Sequence, residues 1–429
     1  MLVLMIRHRS IDLAFAKIVR AVLVCLLVGI LAATAQAQSA SYQGPLLPDP
    51  NLFALQARPV WRDRLDSPTA VVTDSAVVYL RDGRLVATEL AGGWQQWSYG
   101  SGLTGPILLA SDMVLLAEGD RVTALDAGDG TPRWSTEVTE RQLRFMDVSG
   151  PTLIVGSGAE SYTALDLASG RTVHTFDVPG VSSPAYVDDQ LAIFSAHHGE
   201  PNVHYYHAFD AATGAESWSG RGWVRLLAVE EGRAYFLNQQ SATADPHPAR
   251  FSVSVVDSLT GIRVGHWQYD FAGELAAWSP TDDVTVVLTA EAVFASNLFG
   301  TQVFRFPLGG SSEPTGLYQV PGGGEFRAGP HLGLLFFEAH DHSLVATSLT
   351  DATTTEYLFA GTQLSRLDLI GTRAYAGRTD GTLLAVDLGN ARIRYLLRAG
   401  GTGFGPTLSA GAYAVVQSTT ELLVLEALE

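Results

Sequence analysis

One phrase returns along the chain. RVTALDAGDGTPRW ends at Trp134, SYTALDLASGRTVHTF at Phe176, HAFDAATGAESW at Trp218 and SVVDSLTGIRVGHW at Trp267. Aligned on the acidic or polar residue after the apolar pair, the series is Glu89, Asp126, Asp166, Asp210, Asp257, Asn297, Ser348, Asp387 and Glu426. The gaps run from 37 to 51 residues and average about 42. A period of this size marks stacked units that cannot each bury an apolar face alone, and it lies in the range of propeller blades.

Each unit reads as four short strands. Ser-Pro or Gly-Pro steps open many of them, at Ser67-Pro68, Gly105-Pro106, Ser183-Pro184, Ser279-Pro280, Gly329-Pro330 and Gly405-Pro406. Proline is tolerated at a strand start or a sheet edge, where no ladder donor is needed. An apolar, β-branched run follows, such as AVVYL at 76–80 or LAIFS at 191–195. A hairpin leads into the third strand, with Asp82-Gly83 and Asp380-Gly381 as turn residues. A second turn then leads into the fourth strand.

The phrase itself is accounted for by structure. Ala124 is small where the third strand approaches a neighbouring sheet, and Leu125 faces the opposite side. Asp126 closes the turn that it begins, and Gly130 accepts backbone angles that larger residues resist. Trp134 is a plate between sheets, worth on the order of 3 kcal/mol when buried. Trp61, Trp97, Phe176, Trp218 and Trp267 are assigned the same seat, as are Phe304, Tyr357 and Tyr395.

The expected fold is therefore all-β: a single closed β-propeller of four-stranded antiparallel blades over residues 59–429. The last repeat, VLE at 424–426, leaves no room for a fourth strand, while PVWRDRL at 59–65 has no partners ahead of it. Pairing the two closes the ring and removes its exposed edges. Literal counting gives nine units. Propellers typically have four to eight blades, so eight are expected, with the Gly/Pro-rich stretch at 308–329 as the place where the count goes wrong. A two-sheet sandwich array gives no reason for the period or for the aromatic near each unit's end.

Residues 1–37 read as a cleaved export signal. Arg7, Arg9, Lys17 and Arg20 precede the apolar run 21–33, and Ala35-Gln36-Ala37 is a small-x-small cleavage pattern. Residues 38–58 form a lead segment. The expected location is periplasmic or secreted, with an uncleaved anchor as the rival reading. The only cysteine, Cys25, lies inside this signal and follows Val24, so neither a disulfide nor a lipid attachment is expected. The whole chain carries a net charge of −17, and loss of four basic residues and Asp12 with the signal leaves −20. That balance disfavours nucleic acid and favours partners with basic patches.

On these residues the chain resembles the PQQ-like repeat propellers, whose repeat reads roughly V-Y-x-G-x-x-D-G-x-L-x-A-L-D-x-x-T-G-x-x-x-W. The likeness is strongest at 76–97, 114–134, 153–176, 205–218, 252–267 and 374–390. The quinoprotein dehydrogenases of this superfamily hold pyrroloquinoline quinone and calcium at the axis. The resemblance implies for them an adjacent cysteine pair, a stacking tryptophan and acidic calcium ligands, and this chain has no cysteine pair. The resemblance lies with the non-catalytic propellers, such as the lipoprotein of the outer-membrane β-barrel assembly machinery. It implies a scaffold in the cell envelope, without cofactor or catalytic residues. The alternative is a quinoprotein dehydrogenase, or a degenerate relative binding a small ligand or metal in its central channel.

Two histidine-rich runs are candidate sites. AHHGEPNVHYYH (196–207) holds His197, His198, Glu200, His204 and His207, and reads best as a solvated hairpin. Period two would place Glu338, His340 and His342 on one strand face, as two imidazoles and a carboxylate able to hold iron or zinc. DAGDG (126–130) lacks calcium-loop spacing, GGG (322–324) lacks the lysine of a phosphate loop, and no serine has a nucleophile-elbow context. The chain is expected to be a monomer, with no stable membrane insertion of the mature part. Envelope protein partners are expected on face loops, above all 197–204, 239–250 and 308–329.

Overall fold

The computed structural model describes residues 58–139, 142–197, 204–238, 250–270, 286–289, 292–296, 302–309, 316–319, 324–349, 354–357 and 362–427. The described residues contain strands and turns, and none of their helices is long and apolar enough to cross a membrane. Residues 1–57, with the expected export signal and nearly all of the expected lead segment, lie outside them.

The chain enters through β1 (Trp61–Arg64). Four-stranded antiparallel sheets then follow in chain order. The first is β2–β5 (Val71–Val72, Ala76–Arg81, Arg84–Glu89, Gln95–Tyr99), and the second is β6–β9 (Ile107–Ala110, Met113–Glu118, Arg121–Asp126, Pro132–Glu137). Next comes a seven-stranded sheet, β10–β16 (Phe145–Ser149, Thr152–Gly156, Ala159–Asp166, Thr172–Val187, Leu191–His197, His204–Asp210, Glu216–Arg221). Sheets β17–β20 (Trp223–Glu230, Arg233–Asn238, Arg250–Asp257, Arg263–Asp270) and β21–β24 (Val286–Leu288, Ala292–Ser296, Gln302–Pro307, Gly316–Gln319) follow. After them come β25–β28 (Gly324–His331, Leu334–Ala339, Leu344–Ser348, Thr354–Tyr357) and β29–β32 (Leu364–Ile370, Arg373–Arg378, Thr382–Asp387, Arg392–Arg398). The last sheet combines β33–β35 (Leu408–Ala410, Tyr413–Gln417, Glu421–Glu426) with β1.

The seven-stranded sheet has a simple cause. β13 runs for 16 residues without a break. Its first part pairs with β12 and its later part with β14, so one strand serves as the fourth of one unit and the first of the next. The Ser183-Pro184 step falls inside this strand, and the register shifts between Pro184 and Tyr186, where the ladder loses a donor.

Successive sheets are held face to face by buried apolar clusters. Ala124 joins Leu115 against Leu153, Val155 and Leu165 of the following unit, while Leu125 joins Val114 and Leu116 against Val78, Leu85 and Trp97 of the preceding one. The alternation of strand side chains thus sends neighbouring residues of one phrase to opposite interfaces. The last sheet is treated no differently: Val415, Leu422 and Val424 pack with Val77 and Tyr79 of the first. Each fully buried aliphatic side chain contributes roughly 1.5–3 kcal/mol, so these interfaces carry most of the fold's stability.

β1 pairs antiparallel with β35 in the register Trp61↔Val424 to Arg64↔Glu421. The expected meeting of head and tail strands is present. One unit departs from the expected alignment. The stretch ending near Asn297 is the second strand of its sheet, β22, and the third strand is β23. Phe304 therefore lies on a third strand, opposite Leu317, and not on a fourth. The apolar run 292–296 imitates the repeat phrase in composition, and periodicity alone does not tell a second strand from a third.

Candidate functional site

The recurring aromatic is positioned by the turn of the next unit. Trp97 donates its indole N–H to Ala127 O (3.1 Å), Trp134 to Leu167 O (3.0 Å) and Trp218 to Ser258 O (2.8 Å). Trp61 does the same to Leu90 O (2.8 Å), across the joint between the last sheet and the first. Each ring lies on the glycine of that turn. A Cβ added at Gly93, Gly130, Gly170 or Gly261 would stand 2.8, 2.6, 2.4 or 2.6 Å from Trp61, Trp97, Trp134 or Trp218 respectively. These glycines have φ between 67 and 73°. Two independent reasons, backbone angle and ring approach, therefore fix glycine there.

The turn aspartates work as the sequence implied. Asp126 Oδ1 accepts from Gly128 N (2.9 Å), Asp166 Oδ1 from Ser169 N (2.8 Å), and Asp257 Oδ1 from Thr260 N (2.9 Å). Hydrogen bonds from the side chain and backbone of Thr260 hold the Asp257 carboxyl below the usual carboxylate range.

Four members of the aromatic series sit elsewhere than expected: Phe304 on its third strand, Tyr357 opposite Leu344 where Thr355 holds the seat opposite Ala346, and Phe176 and Trp267 as follows. The residue opposite Ala164, in the seat of Trp134 and Trp218, is His174, and Phe176 lies two positions along, opposite Tyr162. His174 rests on Gly214, with Cδ2 2.4 Å from the position of an added Cβ. Both its ring nitrogens are buried without a hydrogen-bond partner, and desolvation lowers its pKa. Phe176 is fully buried among Phe194, Phe209 and Tyr162 between two units, so it remains a wedge, though not on the turn. Likewise Gly265 stands opposite Val255, and Trp267 reaches Gly309 from two residues further on.

Asp63 on β1 ties the head strand to the first sheet. It accepts from Tyr79 Oη (2.5 Å) and Arg81 Nη1 (2.5 Å). Burial alone would raise its pKa, but these bonds, with one from Arg64 N, hold it below its ordinary value.

The candidate metal set is not assembled. β26 ends at Ala339, so His340 falls in the turn and is exposed. Glu338 is 4% exposed and is engaged by protein groups. Its Oε2 accepts from Arg327 Nε (2.8 Å) and from Arg327 Nη2; its Oε1 accepts from Leu364 N (2.9 Å) and lies 2.8 Å from His342 Nδ1. Glu338 thus fastens one sheet to the first strand of the next. Gln417 does the equivalent at the last joint, accepting from Ala70 N (2.7 Å) and donating to Pro406 O (2.7 Å). Among the described residues no group of three or more metal-ligating side chains converges. In the other run, His198 and Glu200 lie outside the described residues, His197 and His204 face each other across β14–β15, and His207 Nδ1 is 2.9 Å from Glu216 Oε1.

Exposed large apolar side chains recur at one end of the sheets. Among the described residues the exposed large apolar side chains are Val60, Trp94, Val173, Val181, Leu259, Ile262, Val264 and Leu332. All but Val181 sit at the end of the sheets that carries the first-to-second and third-to-fourth strand turns. Trp94 is 75% exposed, and Leu259, Ile262 and Val264 cluster on the β19–β20 turn and the start of β20. Sequence reading passed over these side chains because it looked for long loops. Of those loops, residues 198–203, 239–249, 310–315 and 320–323 lie outside the described residues.

Fold and repeat together resemble those of the PQQ-like repeat β-propellers. The sequence profile of the family described as outer membrane protein assembly factor BamB matches residues 48–142 and 81–220, and the chain resembles that factor. The crystal structure of BamB from Moraxella catarrhalis superposes with a TM-score of 0.51 at 16% identity, covering 86% of this chain and all of that one. The computationally designed Ika8 protein superposes with a TM-score of 0.52 at 13% identity, covering 87% of this chain and all of Ika8. Sqt1 of Saccharomyces cerevisiae gives 0.50 at 10% identity, over 74% of this chain and 93% of its own. At these identities the superpositions speak for the fold alone. No curated protein matches the chain.

Proposed function

We propose that this protein is an exported, non-catalytic propeller that acts as a protein-binding scaffold in the cell envelope, in the assembly of outer-membrane proteins. The observation that carries the reading is the set of exposed apolar side chains on turns at one end of the sheets, Trp94, Leu259, Ile262, Val264 and Leu332. Exposed tryptophan and clustered aliphatics on rigid turns are the composition of protein-contact surfaces. The profile match to an assembly factor supplies the direction. The wedge tryptophans, Asp63 and Glu338 are occupied in holding the sheets together, which leaves recognition to the turns.

The reading includes a closed ring. With β13 counted in both of its units, the described strands form nine four-stranded layers, and we take these as nine blades, the literal repeat count, in place of eight. The pairing of β1 with β35 and the cluster shared by the last and first sheets support closure.

The test is genetic and biochemical. Deleting the gene lowers the amount of folded β-barrel protein in the outer membrane. Wild type restores it, whereas Trp94→Ser combined with Ile262→Ser does not, although the variant accumulates normally. Unchanged β-barrel levels in the deletion strain would remove the assembly role.

A further inference from the structure

The β14–β15 hairpin carries a feature that the scaffold reading does not use. His197 and His204 are direct cross-strand partners at the end of this pair. Side chains directly opposite on an antiparallel ladder share one face of the sheet. The two imidazole rings lie with centroids 4.3 Å apart and planes inclined at 60°. His197 is exposed and His204 half-buried, so the pair opens to water.

We propose that His197 and His204 form a two-histidine site for a late first-row transition metal ion, copper(II), nickel(II) or zinc(II). Neutral imidazole is the nitrogen donor that these ions favour. With metal–nitrogen bonds of about 2.0–2.1 Å, two imidazoles on one tetrahedral or square-planar ion hold their ring centroids roughly 4.5–5.2 Å apart. The observed 4.3 Å is a few tenths of an ångström short of that range, and chelation requires the two rings to rotate until one nitrogen of each faces the ion. A β-hairpin fixes both Cα positions in advance, so little chain entropy opposes chelation. Water fills the remaining coordination positions. His207, three residues after His204, faces the other side of the strand and is engaged with Glu216, so it is no part of the site.

The site makes three demands. Affinity peaks at copper(II) among these ions, following ligand-field order. Binding weakens as pH falls and the imidazoles protonate. Removing either histidine removes chelation. The experiment titrates untagged full-length protein with copper(II), nickel(II) and zinc(II) chlorides by calorimetry, alongside His197→Ala, His204→Ala and the surface control His266→Ala. The wild type takes up one equivalent, tightest for copper. Each site variant binds about tenfold more weakly or worse, the control binds as wild type, and circular dichroism shows all of them folded. Electron paramagnetic resonance of the copper complex shows two nitrogen donors that are lost in both site variants. Absence of saturable binding, undiminished binding in either site variant, or a copper spectrum without imidazole nitrogen would each overturn the proposal.

Discussion

The close approach of Trp218 to Gly261 joins two successive units, and it can be measured as a coupling. Trp218 is 8% exposed, donates to Ser258 O at 2.8 Å, and meets Trp223 and Phe236 edge-on at 6.1 and 6.2 Å. Trp218→Ala forfeits this packing and that hydrogen bond, at a cost of about 3–5 kcal/mol. Gly261→Ala has two costs. The residue holds φ at 67°, which an alanine adopts at about 1 kcal/mol. Its new methyl would also stand 2.6 Å from Trp218 Cγ, and making room adds roughly 1–3 kcal/mol. In the double variant the ring is gone, and only the backbone cost of Gly261→Ala remains. The two single effects therefore sum to more than the double, by about 1–3 kcal/mol. Urea unfolding of the four proteins, read by circular dichroism, gives the cycle. Additivity within about 0.5 kcal/mol would show that the glycine and the tryptophan do not meet, and the reasoning for the recurring phrase would fail.

Three further outcomes follow from particular contacts. Glu338→Ala leaves Leu364 N without its acceptor and Arg327 with only the exposed Glu325 as carboxylate partner, and destabilises by about 3 kcal/mol, more than Glu338→Gln, in thermal unfolding. Asp63 has a depressed pKa, so the stability it supplies is fully present above the unfolded value near 3.9 and is lost as pH falls through its folded value. The melting-temperature gap between wild type and Asp63→Asn therefore shrinks between about pH 5 and pH 3, and a gap independent of pH would contradict the assignment. His174 is held neutral by burial, so stability is present above the unfolded value near 6.5 and is lost as pH falls below it. His174→Trp restores a donor on the Gly214 turn and stabilises by about 1 kcal/mol, with the larger gain at pH 5.5 than at pH 8.

The turns between third and fourth strands were legible because their chemistry is local. The closure of the turn by Asp126 and the positive φ of Gly130 arise within one unit, and the facing of Ala124 follows from strand alternation. The partner of each wedge lies about 30–40 residues away, in the next unit, and no local pattern reveals it. That is why His174 escaped notice: Phe176 offered the expected aromatic two residues on, and only strand register separates the two seats. Glu338, His340 and His342 show the opposite failure. Period two holds only while the strand lasts, and β26 ends one residue after Glu338. The carboxylate then finds its partners in Arg327 and in Leu364 of the following sheet. The exposed apolar side chains are invisible to sequence reading because exposure depends on which turns the sheets bring together.

Closure of the ring by the head strand is most directly tested with a covalent bond across the joint. Arg64 and Glu421 are directly opposed on β1 and β35, at a separation suited to a disulfide. In a Cys25→Ser background, Arg64→Cys with Glu421→Cys forms an intramolecular disulfide on air oxidation and raises the melting temperature, because the bond closes a loop of most of the chain and raises the free energy of the unfolded state by about 5–6 kcal/mol. Free thiols after oxidation, or disulfides only between molecules, would show that the first and last strands do not meet.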